Sequence, residues 1–250
     1  MPLETLIAMF ALLSLATLLQ TLSGFGFGLM VVSSFTLFEI MPLTATTFLV
    51  SVLSLFNSAS LVIRNTSHIN KRAFVIILAC GVPFIAVGYA LLEYLSVSMT
   101  SWLNLLLGFA ILTCCILLLI KRNKISASGR DSGFAIAGAL GGLLGGLFST
   151  FGPPVVFQCY RQNWPINEIR ITLLAVFSIT ALVRLCIVPF GTLPSKGVLI
   201  SALIAIPVIL LFTRIGRLIA VRVKPHLVRT IALSILATSG ATLIFQNLSL

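Results

Sequence analysis

The sequence predicts an all-α polytopic membrane protein organised as an inverted-topology repeat, each half a broken helical hairpin plus three transmembrane helices, eight to ten helical segments in all. Three observations predict it. Of 250 residues, 59% are apolar and 8% charged, with a mean hydropathy of +1.17, whereas a water-soluble domain carries roughly a quarter charged residues. The apolar residues fall into ten runs separated by short polar connections. Finally, sixteen Lys and Arg against five Asp and Glu give a net charge of +11, and that excess is concentrated in four connections.

The runs lie at 5–22, 26–38, 43–63, 73–92, 98–120, 133–150, 153–160, 169–190, 198–213 and 228–246. Crossing the hydrocarbon core takes about 20 apolar residues in a helix, which 26–38 and 153–160 do not supply. Each follows a longer run across a Gly/Pro cluster, Ser23-Gly24-Phe25-Gly26-Phe27-Gly28 in one case and Ser149-Thr150-Phe151-Gly152-Pro153-Pro154 in the other. Both therefore read as hairpins broken inside the membrane. The first run has no basic residue before it, since the first in the chain is Arg64, so it reads as a retained helix rather than a signal peptide.

The basic clusters are Arg64, Lys71 and Arg72; Lys121, Arg122, Lys124 and Arg130; Arg161 and Arg170; and Arg214, Arg217, Arg222, Lys224 and Arg229. Lys/Arg excess marks cytoplasmic connections, and the intervening connections hold Glu39, Glu93 and one base, Lys196. Counting spans from these anchors puts both termini outside and makes the second half start on the opposite side from the first. Ser23, Phe25 and Gly26 match Ser149, Phe151 and Gly152 at an offset of 126. Met41-Pro42 and Trp164-Pro165, Lys71 and Lys196, and Pro83 and Pro207 follow at offsets of 123 to 125. The repeats are expected at 1–122 and 132–250, joined by a cytoplasmic linker at 123–131. The positive charge is thus a topology signal that favours anionic lipids at the cytoplasmic loops, and no nucleic-acid partner is expected.

Irregular backbone at membrane depth leaves amide groups that lipid cannot satisfy, so they must face protein, water or substrate. Paired broken helices mark the midplane sites of secondary transporters, and helix N-termini suit anions. The candidate substrate-binding residues are therefore Ser23, Gly24, Phe25, Gly26 and Phe27 at the first break and Ser149, Thr150, Phe151, Gly152 and Pro153 at the second. Arg184 is the base set well inside a span, about 9 Å of helix from its outer end. It either contacts substrate or snorkels outward. Asn57 joins the set because Ser54, Asn57 and Ser58 share one face of a polar helix, although helix–helix hydrogen bonding explains the same face.

Other motifs read as packing. Gly138, Gly142 and Gly146 repeat every four residues, as a close helix contact requires. Cys159 and the Cys114-Cys115 pair sit in apolar sequence as small hydrophobes. Glu4, Glu39, Glu93, Asp131 and Glu168 all fall at span ends or in connections, so no midplane carboxylate is expected to carry a coupling proton or sodium ion.

The glycine-rich break at residues 23–28, the entry from Pro42 to Thr47 with Ala45-Thr46-Thr47, the basic turn Ile69-Asn70-Lys71-Arg72 and the helix leading to Gly152-Pro153-Pro154 together resemble the TauE/SafE exporters of sulfite and organosulfonates. The resemblance covers essentially the whole chain. It implies a bacterial inner-membrane carrier moving a small sulfur-containing anion, usually outward. The family's consecutive glycines are interrupted here by Phe25 and Phe27, which implies a more aromatic pocket. Thiosulfate, sulfate or a carboxylate is the alternative substrate, and a non-transporting scaffold the alternative class. The spans hold no metal spacing or nucleophile–base pair, so neither an enzyme nor a cofactor is expected. The expected partners are the anion, the bilayer and, as an open option, a second copy of the chain in a homodimer.

Overall fold

A computed structural model describes residues 3–63, 65–119, 131–191, 193–220 and 225–248. Arg64, Lys121, Arg122, Lys124, Arg130, Arg222, Lys224 and nearly all of the expected linker lie outside them. The described residues form ten α-helices: α1 Leu3–Ser23, α2 Phe27–Leu37, α3 Leu43–Val62, α4 Lys71–Ser98, α5 Thr100–Leu119, α6 Asp131–Phe148, α7 Gly152–Tyr160, α8 Ile166–Ile187, α9 Lys196–Ala220 and α10 Pro225–Leu248. Eight are long and apolar enough to cross a membrane. The exceptions, α2 with 11 residues and α7 with nine, reach about 16 and 13 Å at the helical rise, well under the hydrocarbon thickness.

Local chemistry sets the boundaries. At the first break Gly24 and Gly26 take φ of +84° and +97°, the left-handed region that glycine enters without a Cβ penalty. The Ser23 hydroxyl closes α1 by donating to Leu19 O at 2.6 Å. At the second break Ser149 adopts φ +54°, and Pro153 and Pro154 occupy the first turn of α7, where a missing N–H costs nothing within the helix. Pro42 and Pro165 precede α3 and α8. Asn70 caps α4 by accepting from the Ala73 amide at 3.1 Å.

Two helices outrun the apolar runs that mark them. The run 73–92 becomes α4 Lys71–Ser98, and 198–213 becomes α9 Lys196–Ala220. Glu93 therefore lies within α4, and Arg214 and Arg217 within α9, rather than in connections. Arg170 likewise lies in the first turns of α8. The apolar run measures the hydrocarbon thickness, whereas the backbone stays helical into the headgroup layer, where charged side chains carry no burial cost.

The strongest packing joins the two halves of the chain. α4 lies against α6, α1 against α9, α3 against α8, and α5 against α10. α2 is wrapped by α1, α3 and α10, and α7 by α5, α6 and α8. Their backbones are thereby shielded from lipid, as the bilayer demands. Along the α4–α6 seam Gly138 sits on Ile77, Gly142 on Gly81, and Gly146 on Ile85 and Gly88. A Cβ at Gly142 would collide with the Gly81 carbonyl oxygen, so the seam accepts nothing larger than hydrogen. Gly142→Ala is expected to destabilise the protein by about 1–3 kcal/mol through overpacking, read as a lowered unfolding midpoint in detergent. Gly197→Ala is the control, because a Cβ there meets only Ser195 Oγ at 3.8 Å.

Candidate functional site

The two breaks meet. A Cβ on Gly28 would fall 2.9 Å from Thr150 Cγ2 and 3.0 Å from Ser149 O, so the start of α2 abuts the loop that starts α7. Beside this junction is a cavity of about 40 Å³, walled by residues 25–29 of the first break and 149–153 of the second. Gln20 of α1, Ser54 of α3, Cys114 of α5, and Phe177, Thr180 and Arg184 of α8 complete most of the wall.

Helix geometry makes this cavity electropositive. The first intrahelical bond of α2 runs from Met30 N to Gly26 O at 2.9 Å. The amides of Phe27, Gly28 and Leu29 therefore have no intrahelical acceptor. In α7 the two prolines remove donors, which leaves Gly152 as the donor of the first turn. Both helices direct the positive end of their dipoles at the same space.

Arg184 adds a full charge. It is 2% exposed, and its guanidinium is held by the two neighbouring helices. Nε donates to Gly146 O at 3.2 Å, one terminal nitrogen to Thr47 O at 3.0 Å and Ser51 Oγ at 2.9 Å, and the other to Thr47 Oγ1 at 2.9 Å. Of the five N–H groups of an arginine, these bonds use four. The Tyr89 ring lies 5.4 Å from the guanidinium carbon. Among the described residues the ion pair within 4.0 Å is Arg72–Asp131, on another helix pair. Backbone and hydroxyl dipoles hold Arg184 in place; among the described residues no carboxylate lies within 4.0 Å of it, and Glu93, bonded to Tyr89, acts on it from farther off. Ser51 Oγ also lies 2.7 Å from Ser149 Oγ, which ties the Arg184 anchor to the second break.

The sequence-derived candidates sort clearly. Phe25, Gly26, Phe27, Ser149, Thr150, Phe151, Gly152, Pro153 and Arg184 come together on the cavity wall. Snorkelling by Arg184 is overturned: its side chain turns inward, because Thr47, Ser51 and Gly146 offer acceptors within one side-chain length. Ser23, Gly24 and Asn57 stand behind the wall. Ser23 accepts from the Phe25 amide and caps α1, and Gly24 lies under the Arg170 side chain. Asn57 donates to Gln20 Oε1 at 2.6 Å and accepts from Thr213 Oγ1 at 2.7 Å, so it orients Gln20 from outside. Cys159 is buried away from the cavity, and Cys114 lines it. Gln20, Thr180 and the Thr47–Ser51 anchor escaped sequence reasoning. The available signal was an uncharged polar residue within an apolar run, which is shared by many residues that only bond their own helix.

A model of the family described as "Sulfite exporter TauE/SafE" matches residues 9–243. A relative from Cupriavidus necator, described as "Probable sulfite/organosulfonate exporter TauE", is 35% identical over 245 residues, covering 98% of this chain and 95% of its own length. No solved structure matches the chain.

The buried charge yields a direct test. Arg184→Met keeps much of the volume but leaves the buried acceptors at Thr47, Ser51 and Gly146 without their donor, so the unfolding midpoint in detergent is expected to fall. Stabilisation by added small oxyanions is expected to vanish in the same variant. A lowered midpoint with oxyanion stabilisation intact would make Arg184 a structural tie instead.

Proposed function

The chain belongs to the TauE/SafE sulfite exporter family, a family of membrane transporters, and from that premise we propose that it is a carrier exporting a small sulfur-containing oxyanion bound at the two helix breaks. The observation that carries this reading is the convergence on one cavity of two helix N-termini and a buried arginine that makes no direct ion pair among the described residues. Such a site repels cations and rewards an anion that brings its own acceptors. The family and the relative are both described by sulfite, which makes sulfite the first anion to test. Thiosulfate, sulfate and short carboxylates share the charge and compete as alternatives.

The proposal includes the inverted repeat. It is supported by the packing, which maps onto itself when α1–α5 and α6–α10 are exchanged: α1 with α9 becomes α6 with α4, and α2 with α10 becomes α7 with α5. The breaks then occupy equivalent places on either side of the cavity. Rocking of one half against the other around the fixed site is the motion this arrangement suits. Charge placement supports termini on the periplasmic side of a bacterial inner membrane. Outward movement needs no coupling ion, because each negative charge leaving a cell that is negative inside gains about 2.3 kcal/mol per 100 mV.

Two measurements test the reading. In proteoliposomes with an imposed potential, sulfite flux is expected to follow the potential; flux that ignores it and follows a pH or sodium gradient would sink the mechanism. Gly152→Leu is expected to abolish transport by filling the cavity. Gly152→Ala is expected to fold normally, since its Cβ would find its nearest neighbours at 3.9 Å. Full transport by the leucine variant would remove the site from the breaks.

A further inference from the structure

The mechanism leaves two half-buried arginines unused. Arg170, in the second turn of α8, lays its side chain over the first break: a Cβ at Gly24 would come within 2.8 Å of Arg170 Cγ. Its Nε is buried and has no hydrogen-bond partner, and the same holds for Nε of Arg161 at the end of α7. Neither makes an ion pair among the described residues. Glu168, the nearest acid in sequence, accepts from Asn70 Nδ2 at 2.8 Å. The guanidinium of Arg161 rests on the Phe157 ring with its carbon 5.4 Å from the centroid. A buried N–H without an acceptor is costly to hold away from water, and each half-buried guanidinium keeps its charge with no acid within 4.0 Å among the described residues, which suits a visiting anion.

A ring pair stands at the first break, next to the Gly24 that Arg170 covers. Phe25 forms part of the cavity wall, and its ring packs edge-on against Tyr160 at 6.3 Å between centroids. The Tyr160 hydroxyl donates to Ser23 O at 3.2 Å. Tyr160 and Arg170 thus flank the same break from the side away from the cavity. From the cavity wall the contacts run through Phe25 to Tyr160, and Arg170 lies over the adjoining Gly24.

We propose that Arg170, assisted by Arg161, is a second anion station on the cytoplasmic approach, separated from the cavity by a Phe25–Tyr160 partition. This rests on the carrier reading above and adds a place where the anion is captured before it reaches the breaks. The station supplies charge and free N–H donors at the entrance, while the aromatic pair supplies an apolar barrier that an unpaired anion does not cross until the rings part. The bond from Tyr160 to Ser23 O ties the barrier to the backbone of the first break, so movement of the break opens the partition. The chemistry suits any small oxyanion, whether a free solute or a lipid headgroup phosphate, and the assay separates the two.

The assay measures radiolabelled sulfite flux, with KM taken separately from each face, in vesicles of phosphatidylcholine and phosphatidylethanolamine without anionic lipid. Arg170→Gln is expected to raise KM from the Arg170 face about tenfold while leaving the other face and Vmax within about twofold, and added salt is expected to shrink the difference. If the glutamine variant fails to fold, Arg170→Lys is read instead, with KM from that face expected to rise about threefold because the planar fork is lost. Unchanged KM from both faces, in a variant that transports, overturns the station. So does an effect that appears only when phosphatidylglycerol is added, which would assign Arg170 to a lipid headgroup. Absence of flux by the unaltered protein under every gradient overturns the carrier reading itself, and the station with it.

Discussion

Backbone amides released at a helix break inside a bilayer have no solvent to turn to, and the rest of this fold is arranged around that constraint. Two breaks are brought into contact at Gly28 and Thr150, so their orphaned groups share one partly sheltered space rather than two lipid-facing gaps. Eight longer helices wall them off. The wall closes because α4 and α6 meet glycine to glycine, which lets two backbones approach more closely than any side chain would allow. Enclosure is in turn what strengthens the electrostatics, since a helix dipole or a guanidinium acts over a longer range where water is excluded.

Within that enclosure the charges are asymmetric. The donor-rich start of α2 faces a start of α7 from which prolines have removed two donors. Arg184, on α8 beside the second break, restores positive character on that side. Its bonds to Thr47, Ser51 and Gly146 position it and use up most of its donors, yet they do not cancel its charge. A residual full charge with one free N–H is suited to weak, reversible capture. A carrier needs that, because an anion held by every donor at once would not leave.

Much of this was legible in the sequence because it is written in composition and spacing. The ten helices, the two short ones among them, and the position of both breaks follow from apolar run length and Gly/Pro clusters, quantities set by bilayer thickness and backbone sterics. The packing role of Gly138, Gly142 and Gly146 was legible for the same reason. Helix ends were less so: α4 and α9 extend past their apolar runs because helix formation does not stop where the hydrocarbon does. Nine of the twelve candidate site residues reach the cavity wall. Of the exceptions, Ser23 and Asn57 differ from Gln20 and Thr180 in where their side chains point rather than in polarity, and Gly24 is covered by Arg170.

The sequence by itself determined that this chain lives in a membrane and where its helices break, since each follows from local composition acting on a short segment. Only the tertiary structure decided which way Arg184 turns, that Asn57 bonds Gln20, and that Arg170 lies over Gly24. Those outcomes depend on which helix comes to stand opposite, and the acceptors that draw Arg184 inward lie 38 or more positions away along the chain. A side chain six bonds long chooses between lipid headgroups and a buried carbonyl according to what packing places within its reach.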